Sequence, residues 1–84
     1  MLRALADPIR LDIVRRLADG EPRAKSEVAA VADVQKSTMS HHFKTLRESG
    51  LTKWTVSGRT HLIVLRRAEL DARFPGLIDS LLEG

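Results

Sequence analysis

Large apolar residues recur between Gln35 and Gly50 at the spacing of a helix with one buried face. Met39, Phe43 and Leu46 stand at positions i, i+4 and i+7, which places them on one side of a helix. Gly50 follows them, and glycine readily adopts the left-handed conformation that ends a helix. The opposite face carries the polar and charged side chains of Ser37, Ser40, His41, Lys44 and Arg47 or Glu48. The pattern therefore predicts an amphipathic helix whose outer face is polar and mostly cationic.

Two shorter helices are predicted upstream of this one. Asp7 and Pro8 indicate the start of the first, because aspartate caps helices and proline suits a first helical turn. Its apolar face is formed by Ile9, Ile13, Val14 and Leu17, and Gly20 ends it.

The second upstream helix is predicted to be short. Ser26 would cap it, it would run from Glu27 to about Ala32, and Val28 and Val31 would face inward. Asp33-Val34 then forms a turn that leads into the amphipathic helix. Two short helices joined by a tight turn, the second with a polar outer face, form the helix-turn-helix pattern, although other helical hairpins share this spacing.

After Gly50 the pattern becomes that of β-strands. Residues 51–56 and 60–65 are rich in β-branched and aromatic side chains, and Ser57-Gly58-Arg59 separates the two runs. This predicts a β-hairpin with Arg59 near its tip. Trp54 is interpreted as a packing residue of the core or hairpin, because one isolated aromatic makes a poor platform for stacking bases.

Two short helices are predicted to complete the chain. The first runs from Ala68 to about Phe74, and Pro75-Gly76 separates it from an apolar helix. That last helix carries Leu77, Ile78, Leu81 and Leu82. A helix too short to stand alone needs a surface on which to bury such side chains, either the first helix of a second copy or the monomer's own core.

The positive charge is concentrated in one part of the chain. The net charge is +3, but residues 35–59 hold five basic residues and one acid, or +4, and all other residues together hold −1. A localised basic patch is typical of a protein that binds a polyanion. The whole chain, 1–84, is interpreted as one small domain, and its 84 residues bury a modest core that a partner subunit would help to stabilise.

Other functional classes have little support in the sequence. The chain has no cysteine, which excludes disulfides and thiolate metal sites, and it shows neither a Gly-rich phosphate loop nor a nucleophile motif. His41 and His42 are adjacent and point about 100° apart on a helix, so they cannot readily share a metal ion. We therefore expect no enzyme, no metal site and no cofactor. No membrane span or signal peptide is visible, and a cytoplasmic location is expected.

The outer face of the amphipathic helix suits the major groove of double-stranded DNA. Ser37, Thr38, Ser40 and His41 are expected to touch bases or nearby phosphates, and Lys36, Lys44, Arg47 and Arg59 are expected to hold the DNA backbone. Arg59 would do so from a wing beside the minor groove. The alternatives are an amphipathic surface helix with a merely solvated polar face, and a solvated arginine in the hairpin turn.

Three segments together resemble the ArsR/SmtB family of bacterial winged helix-turn-helix repressors. They are the opening Leu-Ala-Asp-Pro-x-Arg at residues 5–10, the run Ser-Thr-x-Ser-His-His-x-Lys-x-Leu-Arg-x-x-Gly-Leu at residues 37–51, and Gly-Arg at 58–59. The resemblance covers nearly the whole chain. It implies a homodimer joined through the first and last helices, an operator with dyad symmetry, and repression relieved by an effector.

The sensor sites of that family do not transfer to this chain. The thiolate sites need cysteines, which are absent. The site on the last helix needs aspartate and histidine ligands; Asp71, Asp79 and Glu83 are present in the last part of the chain, but no histidine is. The inducer is thus not identified by the sequence.

The fold expected is mainly α with a β-hairpin: a winged helix-turn-helix with about five helices and a two-stranded wing. Its function is expected to be that of a homodimeric DNA-binding regulator. Two alternatives remain at this point. One is a regulator with a metal or small-molecule site formed across the dimer, and the other is a winged-helix module that binds proteins and not DNA.

Overall fold

The chain is mainly helical and contains a small antiparallel sheet of three strands. A computed structural model describes residues 2–32 and 34–83. A short 3₁₀ turn, Leu2–Ala6, precedes the first α-helix. The elements are α1 Pro8–Arg16, β1 Arg23–Ala24, α2 Lys25–Ala30, α3 Lys36–Glu48, β2 Thr52–Ser57, β3 Thr60–Leu65, α4 Arg67–Arg73 and α5 Leu77–Glu83. The predicted winged helix-turn-helix is therefore confirmed.

The start of α1 shows the predicted cap. The carboxylate of Asp7 accepts hydrogen bonds from the backbone N–H groups of Ile9, at 2.8 Å, and Arg10, at 3.2 Å. Two of the amide groups that an α-helix leaves unpaired at its first turn are thereby satisfied. Burial alone would raise the pKa of Asp7, but the hydrogen bonds from these two amides, helped by the nearby charge of Arg10, outweigh it and lower the pKa.

The second helix differs from its prediction. It begins at Lys25 and not at Glu27, so Ser26 lies inside it, and the residue at its N-cap, Ala24, offers no side-chain hydrogen bond. The reason is that β1 runs directly into α2, so that Ala24, the last residue of the strand, occupies the N-cap position. Val28 is buried as predicted, but Val31 lies beyond the end of α2 and is 56% exposed, so its inward assignment was wrong. Of the predicted turn Asp33-Val34, Asp33 lies outside the described residues.

The wing is a β-hairpin to which a third strand is added. Strands β2 and β3 pair antiparallel from Thr52 opposite Leu65 to Ser57 opposite Thr60, which leaves a two-residue turn. Gly58 has φ +63° in that turn, a conformation that suits glycine. The two residues of β1 pair with β3, giving the strand order β1-β3-β2. The sheet thus has one strand more than the two predicted for the wing.

The core lies between α3, the sheet and the helices of both ends. From α3 it takes Met39, Phe43 and Leu46, as predicted. Ile78 of α5 is fully buried in the same core, and Leu81 packs against it, so the last helix buries part of its apolar face within the monomer. Leu82, in contrast, is 52% exposed. No helix in the described part of the chain has both the length and the apolar character that crossing a membrane requires.

Two arginines fix the terminal helices in place. The Nε of Arg15 in α1 donates to the carbonyl of Leu81 in α5 at 2.9 Å. Arg67 donates to the carbonyl of Ala18 at 2.8 Å and forms ion pairs with Asp71 and Asp79. These contacts hold α5 against α1.

Candidate nucleic-acid interface

The outer face of α3 is open to solvent along its length. Met39, Phe43 and Leu46 are 2%, 6% and 0% exposed, and this buried side fixes which way the helix faces. The site residues predicted from the sequence are all exposed: Lys36, Ser37, Thr38, Ser40, His41, Lys44, Arg47 and, in the hairpin turn, Arg59. The structure brings seven of them together on one helix and places the eighth on the neighbouring wing. Whether they touch DNA remains a prediction.

The exposed residues of α3 divide between two sides. At about 100° per residue, Ser37, His41 and Lys44 lie directly opposite the buried stripe and point away from the domain. Lys36, Ser40 and Arg47 lie on the flank that faces the wing. Thr38 occupies the other flank. The outward set therefore faces open solvent, whereas the wing-side set faces the hairpin.

A cleft of about 710 Å³ separates α3 from the wing. Phe43 and Trp54 contribute apolar walls, and the basic side chains of Lys25, Lys36 and Arg59 line it together with His61. The basic side chains come from α2, α3 and the hairpin turn. The surface of the cleft between α3 and the wing is therefore positively charged.

Two cations stack on Trp54, which lines this cleft. The Nζ of Lys25 lies 3.0 Å from the ring centroid, and the guanidinium carbon of Arg47 lies 3.9 Å from it. Burial lowers the pKa of Lys25, and the nearby charge of Arg47 lowers it further. Trp54 is partly buried against the core, which confirms its predicted packing role. Lys25 is not among the residues predicted from the sequence, because it lies outside the helix predicted there and no spacing relates it to Trp54.

The three histidines occupy different environments. His42 is 6% exposed, and its Nδ1 lies 3.3 Å from an Nη of Arg10, so it is structural as expected. His41 is exposed on α3, and His61 is exposed on β3 at the cleft. Within residues 2–32 and 34–83, no three His, Asp or Glu side chains are grouped closely enough to hold a metal ion.

Known proteins match this chain over its helix-turn-helix and beyond. A family model described as "Helix-turn-helix domain" matches residues 5–53. A curated relative from Bacillus subtilis (strain 168), an uncharacterized HTH-type transcriptional regulator named YceK, is 38% identical over 82 residues. That match covers 96% of this chain and 82% of the relative.

Solved structures of transcriptional regulators share the fold. HlyU from Vibrio cholerae N16961 superposes with a TM-score of 0.80 at 27% identity, covering 98% of this chain and 84% of HlyU. An ArsR family transcriptional regulator, RHA00566, gives 0.74 at 28% identity, with 94% and 80% covered. The homodimeric winged helix-turn-helix DNA-binding domain of Mb0332 from Mycobacterium bovis gives 0.75 at 26% identity, with 96% and 73% covered.

Proposed function

This chain belongs to the ArsR/SmtB family of winged helix-turn-helix transcriptional regulators, and on that premise we propose that it represses transcription by binding a palindromic operator as a homodimer. The observation that carries the proposal is the orientation of α3. Its apolar side is buried in the core, and its polar and cationic side is exposed beside a basic wing tip. A helix presented in this way fits the major groove, which is wide enough to admit it. Because its partner would be an operator, the protein would act in the cytoplasm.

The residues of the interface divide by the direction in which they point. Ser37 and His41 face outward and carry groups that can bond to base edges, and Lys44 faces outward beside them to bind a phosphate. The wing-side residues Lys36, Ser40 and Arg47 would hold the backbone, as would Arg59 from the hairpin turn. Thr38, on the far flank, would contact the backbone or a base at the groove edge.

A homodimer would be joined through α1 and α5. In the monomer α5 lies against α1 and buries Ile78, but it leaves Leu82 exposed, which would supply apolar surface for a second copy. The structural relative from M. bovis is described as homodimeric, and this supports the same arrangement here. The α3 helices of the two subunits would then enter successive major grooves about 34 Å apart.

Selection of bound sequences from a random duplex pool tests the proposal. The expected product is an inverted repeat with half-site centres about 10 base pairs apart, or a multiple of that spacing. Sedimentation of the complex should show two chains per site. Binding should weaken with salt at a log–log slope on the order of −5 to −9, for about three to five phosphates per subunit. Enrichment of no sequence, or a complex with one chain, would overturn the proposal.

Repression itself is tested by placing the selected site at a promoter. In transcription with purified polymerase, added protein should lower transcript from that promoter and leave a promoter with a scrambled site unaffected. An increase in transcript would show an activator and would contradict this part of the proposal.

A further inference from the structure

Trp54 joins three elements of the fold through two positive charges. Lys25 is the first residue of α2, Arg47 lies in the last turn of α3, and Trp54 stands on β2. Both cations stack on the same indole ring, at 3.0 Å and 3.9 Å from its centroid. No ion pair joins either cation to a carboxylate in the described part of the chain, where the five ion pairs involve other arginines.

Bringing two positive charges together costs free energy in the unbound protein. The electron-rich face of Trp54 offsets part of that cost, since a cation–aromatic contact is worth about 0.5–2 kcal/mol depending on its exposure. Burial is the main reason that the pKa of Lys25 is lowered, and the repulsion from Arg47 adds to it. An anion bound beside the two cations would remove the remaining repulsion.

The orientation of the indole depends on what stacks against it. Its Nε1 is buried and makes no hydrogen bond to any of the described residues. The ring is therefore held by apolar packing against the core and by the two cations on its faces. The dependence is mutual, because the Trp54 ring is the contact that both cations share.

In the proposed complex, a phosphate of DNA would be that anion. When a helix lies in the major groove and a wing reaches the adjacent minor groove, the strand that separates the two grooves crosses the space between helix and wing. In this chain that space is the cleft lined by Lys25, Lys36 and Arg59. We propose that Trp54 is a positioning residue that holds Lys25 at the cleft, with Arg47 beside it on the same ring, to bind phosphates of the crossing strand. The inference rests on the proposed function, and it adds Lys25 to the predicted DNA contacts.

Lys25→Ala tests the contact directly. Losing one phosphate contact per subunit should lower the log–log salt slope by about 0.9, or about 1.8 for a dimer. At 0.15 M salt this corresponds to about fivefold weaker binding per contact and about 30-fold per dimer. Lys53→Ala is the matched control, because Lys53 neighbours Trp54 on β2 but points to the opposite face of the sheet and is exposed. It should leave the slope unchanged and weaken binding less than about threefold.

A double-mutant cycle separates positioning from simple packing. In a Trp54→Leu background, Lys25→Ala should weaken binding by less than about fivefold, because Lys25 has already lost its support. In a Trp54→Phe background, where a ring still carries the cations, the effect of Lys25→Ala should return to more than about tenfold. Lys53→Ala should have the same small effect in all three backgrounds. Thermal melting identifies any variant that fails to fold. If Trp54→Leu fails to fold, the Trp54→Phe variant can still be measured.

The outcomes distinguish this inference from the proposed function. If the wild-type protein binds no duplex with a steep salt dependence, the proposed function fails. If the wild-type protein binds its site but Lys25→Ala and Lys53→Ala behave alike, Lys25 is not a contact and the inference alone is overturned. If Lys25→Ala weakens binding equally in the wild-type and Trp54→Leu backgrounds, Trp54 does not position it, and that part is overturned.

Discussion

Leu46→Ala tests the orientation of α3 from its buried side. Leu46 is 0% exposed and packs in the core with Met39 and Phe43. Truncation of a fully buried leucine removes apolar contacts and leaves a cavity, at a cost of about 3 kcal/mol in the free energy of unfolding. For 84 residues the unfolding entropy is about 0.18 kcal/mol/K near 60 °C, so this cost lowers Tm by about 17 °C.

The matched substitution on the other side of the same helix is Lys44→Ala. Lys44 is exposed, and changes at exposed positions usually alter stability by less than about 0.5 kcal/mol, or about 3 °C in Tm here. The two variants should therefore change different properties: Leu46→Ala should change stability, and Lys44→Ala should change DNA binding. Leu46→Ala should melt early and yet bind the operator nearly as well as wild type at about 10 °C, where it is still folded. Lys44→Ala should melt like wild type and bind every duplex more weakly.

Far-UV circular dichroism gives the melting curves, and fluorescence anisotropy of a labelled duplex gives the affinities. Protein concentration must be equal in all melts, because the Tm of a dimer depends on it. The assigned orientation is refuted if Leu46→Ala lowers Tm by less than about 5 °C, or if Lys44→Ala lowers it by more than about 10 °C.

Three further substitutions test other parts of the molecule. Asp7→Ala should lower the free energy of unfolding by about 1 kcal/mol at pH 7 through loss of the cap. Folding lowers the pKa of Asp7 below its ordinary 3.8, so urea unfolding should show this difference above about pH 4 and a smaller one as the pH falls further. His41→Ala should change the preferred base at one position of each half-site, by about 1–3 kcal/mol, whereas Ser40→Ala, at the cleft, should weaken all sites alike; selections repeated with each variant would reveal the difference. Arg67→Ala removes the bonds that join α4 to Ala18 and α5, and it should lower Tm in thermal melting. An unchanged Tm would contradict the role given to that arginine.

The elements predicted well are those specified by neighbouring residues. The start of α1 depends on Asp7 and Pro8, the extent of α3 follows from three apolar residues at helical spacing, and Gly58 marks the hairpin turn. The strand β1 was missed because two residues cannot show an alternating pattern. Its conformation comes from pairing with β3, which lies almost forty positions further along the chain.

The candidate interface was predictable only in part for a similar reason. Helical periodicity distinguishes the buried side of α3 from its exposed side, and every predicted residue is exposed. Periodicity does not say which exposed flank the wing packs beside, so Ser40 and His41 could not be separated from the sequence. The stacking of Lys25 and Arg47 on Trp54 joins residues of three elements, and no local spacing encodes it.

The attachment of the wing explains how one small domain could contact two grooves of DNA at once. A hairpin that moved freely relative to α3 would lose conformational entropy each time it bound, and this would weaken the complex. Here the base of the hairpin is held to the domain by the pairing of β1 with β3 and by the contacts of Trp54 on β2 with α2 and α3. Its tip, from Val56 to His61, is exposed. The base is therefore ordered before DNA arrives, while residues of the tip can change the strength of binding with little effect on the stability of the fold.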